Sequence, residues 1–112
     1  MIYRIAERED WLQCLRSGQF SSVDLLLEGF IHCSEKHQVQ RTASKYYAGK
    51  TGLVLLEIDE TGIAENLKRE DLTGKGELFP HIYAAIPIAA IVSYINLPEN
   101  EVERLDGLGF QN

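Results

Sequence analysis

The chain opens on a run rich in β-branched and aromatic residues. Ile2-Tyr3-Arg4-Ile5 predicts a short strand with Tyr3 and Ile5 on one face, Ile2 and Arg4 on the other. From Glu7 to Arg16 the spacing becomes helical, with Trp11, Leu12 and Leu15 on one side. Acidic residues occupy the first turn, where the helix dipole favours them, and Gly18 stops the helix. Gln19 to Glu28 has no single period. Leu25-Leu26-Leu27 fits a helical turn started by Ser22, and equally an irregular segment pinned into the core. Gly29 then supplies a backbone freedom that side-chain-bearing residues lack.

Phe30 to Cys33 reads as extended chain. Strand parity puts Ile31 and Cys33 on one face as a buried pair, and Phe30, His32 and Ser34 on the other. Ser34 is placed to cap a helix over Glu35 to Ala48, in which Val39, Ala43, Tyr46 and Tyr47 recur at helical spacing. Gly49-Lys50-Thr51-Gly52 ends that helix. Leu53 to Ile58, almost continuously apolar, predicts a central strand. Asp59 to Asn66 holds a turn, Leu67 to Glu70 a short edge strand with its charges outward, and Asp71 to Glu77 a flexible surface loop. Pro80 biases Phe79 away from helix, so His81 and Tyr83 fall on one side of an extended segment. Ile91 to Leu97 predicts a last strand, and Pro98 to Asn112 a short helix or loosely held tail. The connections between strands are too short for helical crossovers. The pattern therefore predicts one compact α+β domain over residues 1–97, with a mixed, mostly antiparallel sheet and flanking helices, followed by a tail over 98–112.

Composition narrows the function classes. With 112 residues, 45% apolar and 25% charged, the chain has enough material for a core without disulfides or a structural metal. The net charge of −6 argues against general binding to nucleic acid or to anionic membranes. The longest apolar run, Ala84 to Val92, is interrupted by Pro87 and is too short to span a bilayer. No secretory segment is expected before a chain that opens directly into a strand, so Cys14 and Cys33 are expected as reduced thiols in a cytoplasmic protein.

Candidate chemistry concentrates in two stretches. In Gly29-Phe30-Ile31-His32-Cys33-Ser34, a helix terminus at Ser34 beside His32 would offer backbone N–H donors to an anion such as a phosphate. A backbone-bonded histidine next to a helix-capping serine accounts for the same residues without any function. In Glu77-Leu78-Phe79-Pro80-His81-Ile82-Tyr83, His81 and Tyr83 would join His32 in a cleft, with Glu77 reaching over it from the glycine loop. A boundary strand with polar tips in water is the plainer alternative. Metal binding is disfavoured: His32 and Cys33 point to opposite faces, and no metal-ligand spacing such as Cys-x-x-Cys occurs. Cys33 on a core face is a poor nucleophile.

These two stretches, with Thr51-Gly52-Leu53-Val54-Leu55-Leu56-Glu57-Ile58 between them, resemble domain-of-unknown-function family 952 from about Ile2 to Leu97. The resemblance implies a split-sheet fold similar to that of ADP-ribosyltransferases and RNA 2′-phosphotransferases. It implies NAD as a candidate substrate and assigns no certain cofactor, with Glu77 and His32 as catalytic candidates. Arg4, Ser34, His81 and Tyr83 become candidates for binding NAD or a similar small nucleotide. Two positions depart from the family pattern: Arg4 stands where a histidine is more usual, and Ala84-Ala85 where Gly-Pro follows the Phe-Pro-His motif. Cleavage of a nicotinamide bond develops positive charge on the ribose, which a carboxylate at Glu77 would stabilise. The alternative is a non-enzymatic domain that binds a small ligand or a protein. The oligomeric state is not readable from the chain.

Overall fold

A computed structural model describes residues 1–97; the tail expected over 98–112 lies outside the described residues. The chain runs β1 (Ile2–Glu7), α1 (Arg8–Ser17), β2 (Gln19–Phe20), α2 (Val23–Glu28), β3 (Ile31–His32) and α3 (Val39–Tyr46). It continues through β4 (Leu53–Ile58), β5 (Leu67–Glu70), β6 (Phe79–Ile82), β7 (Ile86–Pro87) and β8 (Ile91–Leu97). Two three-stranded sheets, in the orders β1-β4-β8 and β3-β6-β5, accompany a small β2-β7 pair. Every strand pairing among the described residues is antiparallel, so the parallel component of the expected mixed sheet is not used there. The architecture is α+β in one compact domain.

β4 is central in its sheet, as its apolar run predicts. Val54, Leu55, Leu56 and Ile58 are fully buried, each worth about 1.5–3 kcal/mol in transfer from water. Its two faces serve two cores, because side chains alternate along the strand. Val54, Leu56 and Ile58 join Ile2, Ala6, Phe20, Ile31 and Ile82 on one side. Leu55 packs with Tyr3, Ile5, Val39 and Ala43 on the other. Backbone pairing joins the two large sheets at an isolated bridge, in which Tyr3 N–H donates to Ser34 O at 2.9 Å and Ser34 N–H to Tyr3 O at 2.8 Å. The two sheets therefore share one core, through Ile2, Val54 and Leu56 with Ile31 and Ile82, and are bridged in backbone at Tyr3 and Ser34.

Three local expectations are corrected. The core face of α1 is Trp11 and Cys14, both buried, while Leu12 and Leu15 are exposed. The helix follows β1 without a loop, and the Trp11 ring meets Tyr94 with centroids 5.1 Å apart, which fixes its rotation. The helix expected over Glu35 to Ala48 is a 3₁₀ turn over Lys36–Gln38 followed by α3, which ends at Tyr46. Ser34 does not cap it. Glu35 and Gln38 form a reciprocal capping box instead, with Gln38 Oε1 accepting from Glu35 N–H at 2.9 Å. The Asp71 to Glu77 loop is tied by one carboxylate: Asp71 accepts from the amides of Lys75 at 3.1 Å and Gly76 at 2.7 Å.

The Gln19 to Glu28 stretch, which has no single period, forms β2 and α2. Gly29 closes α2 in the left-handed region at φ +87°, its amide donating to Leu25 O at 3.0 Å. That reversal sends Phe30 straight into the second sheet. Among the described residues no helix is long and apolar enough to cross a membrane.

Candidate functional site

The split between the sheets opens a cavity of about 620 Å³, whose lining includes Arg4, His32, Ser34, Glu77 and His81. Five of the six residues singled out in the sequence therefore share one concavity. The sixth, Tyr83, is outside the lining but packs against Phe30 in a tilted ring pair, with centroids 5.3 Å apart. β3 and β6 run antiparallel with His32 directly opposite His81. Parity then brings both rings to the same face, their centroids 5.4 Å apart. Phe30 lies against them, 4.7 Å from His32 and 4.3 Å from His81 between centroids. The result is a continuous aromatic floor with polar nitrogens at its edges.

The partners of these groups change several expected roles. Arg4 is buried and its Nη1 donates to Asp24 Oδ2 at 2.6 Å and to the His32 carbonyl at 2.9 Å. A guanidinium in that setting needs a counter-charge, and Asp24 supplies it. Arg4 is therefore not an open bidentate clamp for a diphosphate. Asp24 also accepts from the Ser22 hydroxyl, from His32 N–H at 2.9 Å and from Leu25 N–H at 3.2 Å. Burial alone would raise the Asp24 carboxyl, but Arg4 and these donors hold it below the usual carboxylate range. The sequence carried no local sign of this hub, since Arg4 and Asp24 are brought together only by the fold.

Ser34 is buried, its hydroxyl 3.2 Å from Thr42 Oγ1. Its amide is spent on Tyr3 and the Glu35 amide on Gln38. The anion-binding helix terminus expected there does not form: a carboxylate, Glu35, occupies it, matched by Arg69 at 2.6 Å. Glu77 accepts from Gln38 Nε2 at 2.9 Å and pairs with Arg41. Those two donors, Gln38 first, keep its carboxyl low and ionised. Gln38 is almost fully buried and also donates to Leu78 O at 2.9 Å, anchoring the end of the loop that carries Glu77.

His32 is half exposed, its Nε2 3.0 Å from Glu28 Oε2. His81 is buried, its Nδ1 2.9 Å from Glu70 Oε1. The same oxygen accepts from the Tyr83 hydroxyl at 2.5 Å. Those hydrogen bonds, Tyr83 foremost, lower the Glu70 carboxyl, and the carboxylate in turn raises the Tyr83 phenol. The edge-strand pattern predicts Glu70 as an outward charge; in the structure it turns instead to hold His81 and Tyr83. Burial pushes the Cys33 thiol up to about 12 and raises that of Cys14, and both cysteines are free. Among the described residues no group of three or more His, Cys, Asp or Glu side chains is arranged to hold a metal ion.

The chain is similar to protein CC0527 from Caulobacter crescentus. The crystal structure of that protein is 37% identical, with a TM-score of 0.78, covering 87% of this chain and 85% of the other. Its solution NMR structure is 34% identical, with a TM-score of 0.77, covering 96% of each chain. No curated protein matches the sequence. The profile of the family described as protein of unknown function (DUF952) matches residues 5–94, and the chain belongs to that family.

Proposed function

We propose that the cavity binds NAD or a similar nucleotide, in a domain related to the ADP-ribosyltransferases, and that it supports ADP-ribosyl transfer or NAD glycohydrolysis. One observation carries this reading. Phe30, His32 and His81 converge on a 620 Å³ cavity at the split between the sheets, a volume within the range of small-molecule sites.

The charge around the cavity orients the ligand. Asp24, Glu28, Glu70, Asp71 and Glu77 border it, against the cations Arg4 and Lys50. A cationic nicotinamide ring suits the aromatic floor and its acidic surroundings. The phosphates suit the α3 side, where Tyr46, Tyr47 and Lys50 contribute. His32 and His81 would then hydrogen-bond the ligand beside the stacked ring, and Glu77 would stabilise the developing ribosyl cation.

The second reading, ligand binding without chemistry, is favoured by a different observation. The Glu77 charge is already matched by Arg41 and Gln38, which weakens its pull on a cation. Calorimetric titration with NAD and ADP-ribose, together with a nicotinamide-release assay, separates the two. Binding with release supports the enzyme. Binding without release, unchanged in Glu77→Gln, supports the binding module.

A further inference from the structure

The catalytic candidates drawn from the sequence, His32 and Glu77, are both engaged by charged partners near solvent: Glu28 for the first, Arg41 for the second. His81 differs. It is buried, its ring lies against Phe30 at 4.3 Å, and a carboxylate meets only one of its nitrogens, Nδ1.

An ionised carboxylate accepts hydrogen bonds and cannot donate them. Glu70 therefore selects the tautomer of His81 with its proton on Nδ1, and the lone pair is left on Nε2. Tyr83 strengthens the selection by donating to the same Glu70 oxygen, which keeps that carboxylate ionised. Among the described residues, Arg4 Nε is the buried side-chain nitrogen left without a partner. The Nε2 of His81 is not sealed in this way, and His81 lines the cavity.

Other titratable groups face this pair from each packed element. His32 on β3 lies opposite His81, and Lys68 on β5 is its register partner. The Lys68 ammonium sits over the Tyr83 ring, 5.2 Å from its centroid. Neither makes a hydrogen bond to the His81 ring.

We infer that Glu70 and His81 form a proton-accepting pair, in which Glu70 orients the ring and His81 Nε2 takes the proton of a hydroxyl nucleophile bound in the cavity. The identity of the electrophile rests on the NAD reading above; the orientation of the ring does not. With NAD, the hydroxyl oxygen forms a bond to C1′ of the ribose and the C1′–N bond to nicotinamide breaks. The bonding pair neutralises the pyridinium ring, and the hydroxyl proton passes to Nε2. Glu70 is a positioning residue in this scheme and touches no substrate.

The test is a long-range ¹H–¹⁵N spectrum of the histidine rings in the full chain at pH 8, with His81 assigned by its loss in His81→Gln. The expected result is an Nδ1–H ring at His81 that shifts toward the Nε2–H form in Glu70→Ala, while the backbone amide spectrum stays that of the folded protein. Addition of ADP-ribose should move the His81 Nε2 resonance. A wild-type His81 in the Nε2–H form, or one indifferent to Glu70→Ala, overturns the pair. An Nδ1–H ring that responds to neither ADP-ribose nor NAD supports the orientation by Glu70 but overturns the transfer step, and the nucleotide reading falls with it only where calorimetry finds neither ligand bound.

Discussion

Asp24→Ala removes the counter-charge of a guanidinium whose side chain is only 9% exposed. It also strips an acceptor from the His32 amide and from the Ser22 hydroxyl. Breaking a buried pair by deleting one partner costs about 3–5 kcal/mol, because the other charge stays behind unmatched. A domain of this size loses roughly 4–8 °C in midpoint per kcal/mol, so the variant should melt ~12 °C or more below wild type. Arg4→Met should cost less, since Asp24 would keep its hydrogen bonds from Ser22, Leu25 and His32. The dependence on pH follows from the direction of the Asp24 shift. Its folded-state value lies below the unfolded one, so the stabilisation is complete above the unfolded value of about 3.9 and disappears as pH falls through the lower, folded value. Asp24→Asn should accordingly flatten the loss of stability below about pH 4. Urea unfolding at neutral and acid pH reads both effects. An Asp24→Ala variant within ~1 kcal/mol of wild type, the scale of a surface pair, would refute the claim that this ion pair pins α2 and β3 to β1.

Three further outcomes are expected. Phe30→Ala should destabilise by about 3–5 kcal/mol, and at temperatures where it remains folded it should weaken NAD binding; retained affinity would remove the aromatic floor from the site. Glu77→Gln should leave NAD affinity in place and lower nicotinamide release by ~10²–10³-fold, the scale of losing one charge-stabilising group, whereas unchanged release would take Glu77 out of the chemistry. Thiol titration of the native protein should find Cys14 and Cys33 unreactive, and denaturation without reductant should release both; reaction in the native state would contradict their burial.

The parts of the fold that could be read in the sequence are those whose signal is local. Leu53 to Ile58 announces a central strand because both of its faces are buried. The convergence of His32 and His81 follows from strand parity, once both segments are extended and paired in register. What was not legible depends on distant partners. Arg4 looked available because nothing nearby in the sequence shows that Asp24, twenty residues on, neutralises it. Glu70 looked like an outward charge because its strand is an edge strand, and only the pairing of β5 with β6 brings it to His81. Ser34 carried the stronger cap preference, yet the Glu35–Gln38 capping box prevailed because the Ser34 backbone is committed to the bridge with Tyr3. The two-residue strands β2 and β7 are too short to leave any periodic signal.

The central claim is that the cavity between the split sheets recognises a nucleotide through the face built by Phe30, His32 and His81. Calorimetric titration of the folded chain with NAD, repeated on His32→Ala, tests it most directly. Saturable binding by the wild type that weakens about tenfold or more in His32→Ala, the scale of a lost hydrogen bond to a ligand, is the predicted result. No binding of NAD or ADP-ribose at millimolar concentration, by a protein whose melting transition shows it to be folded, would contradict it.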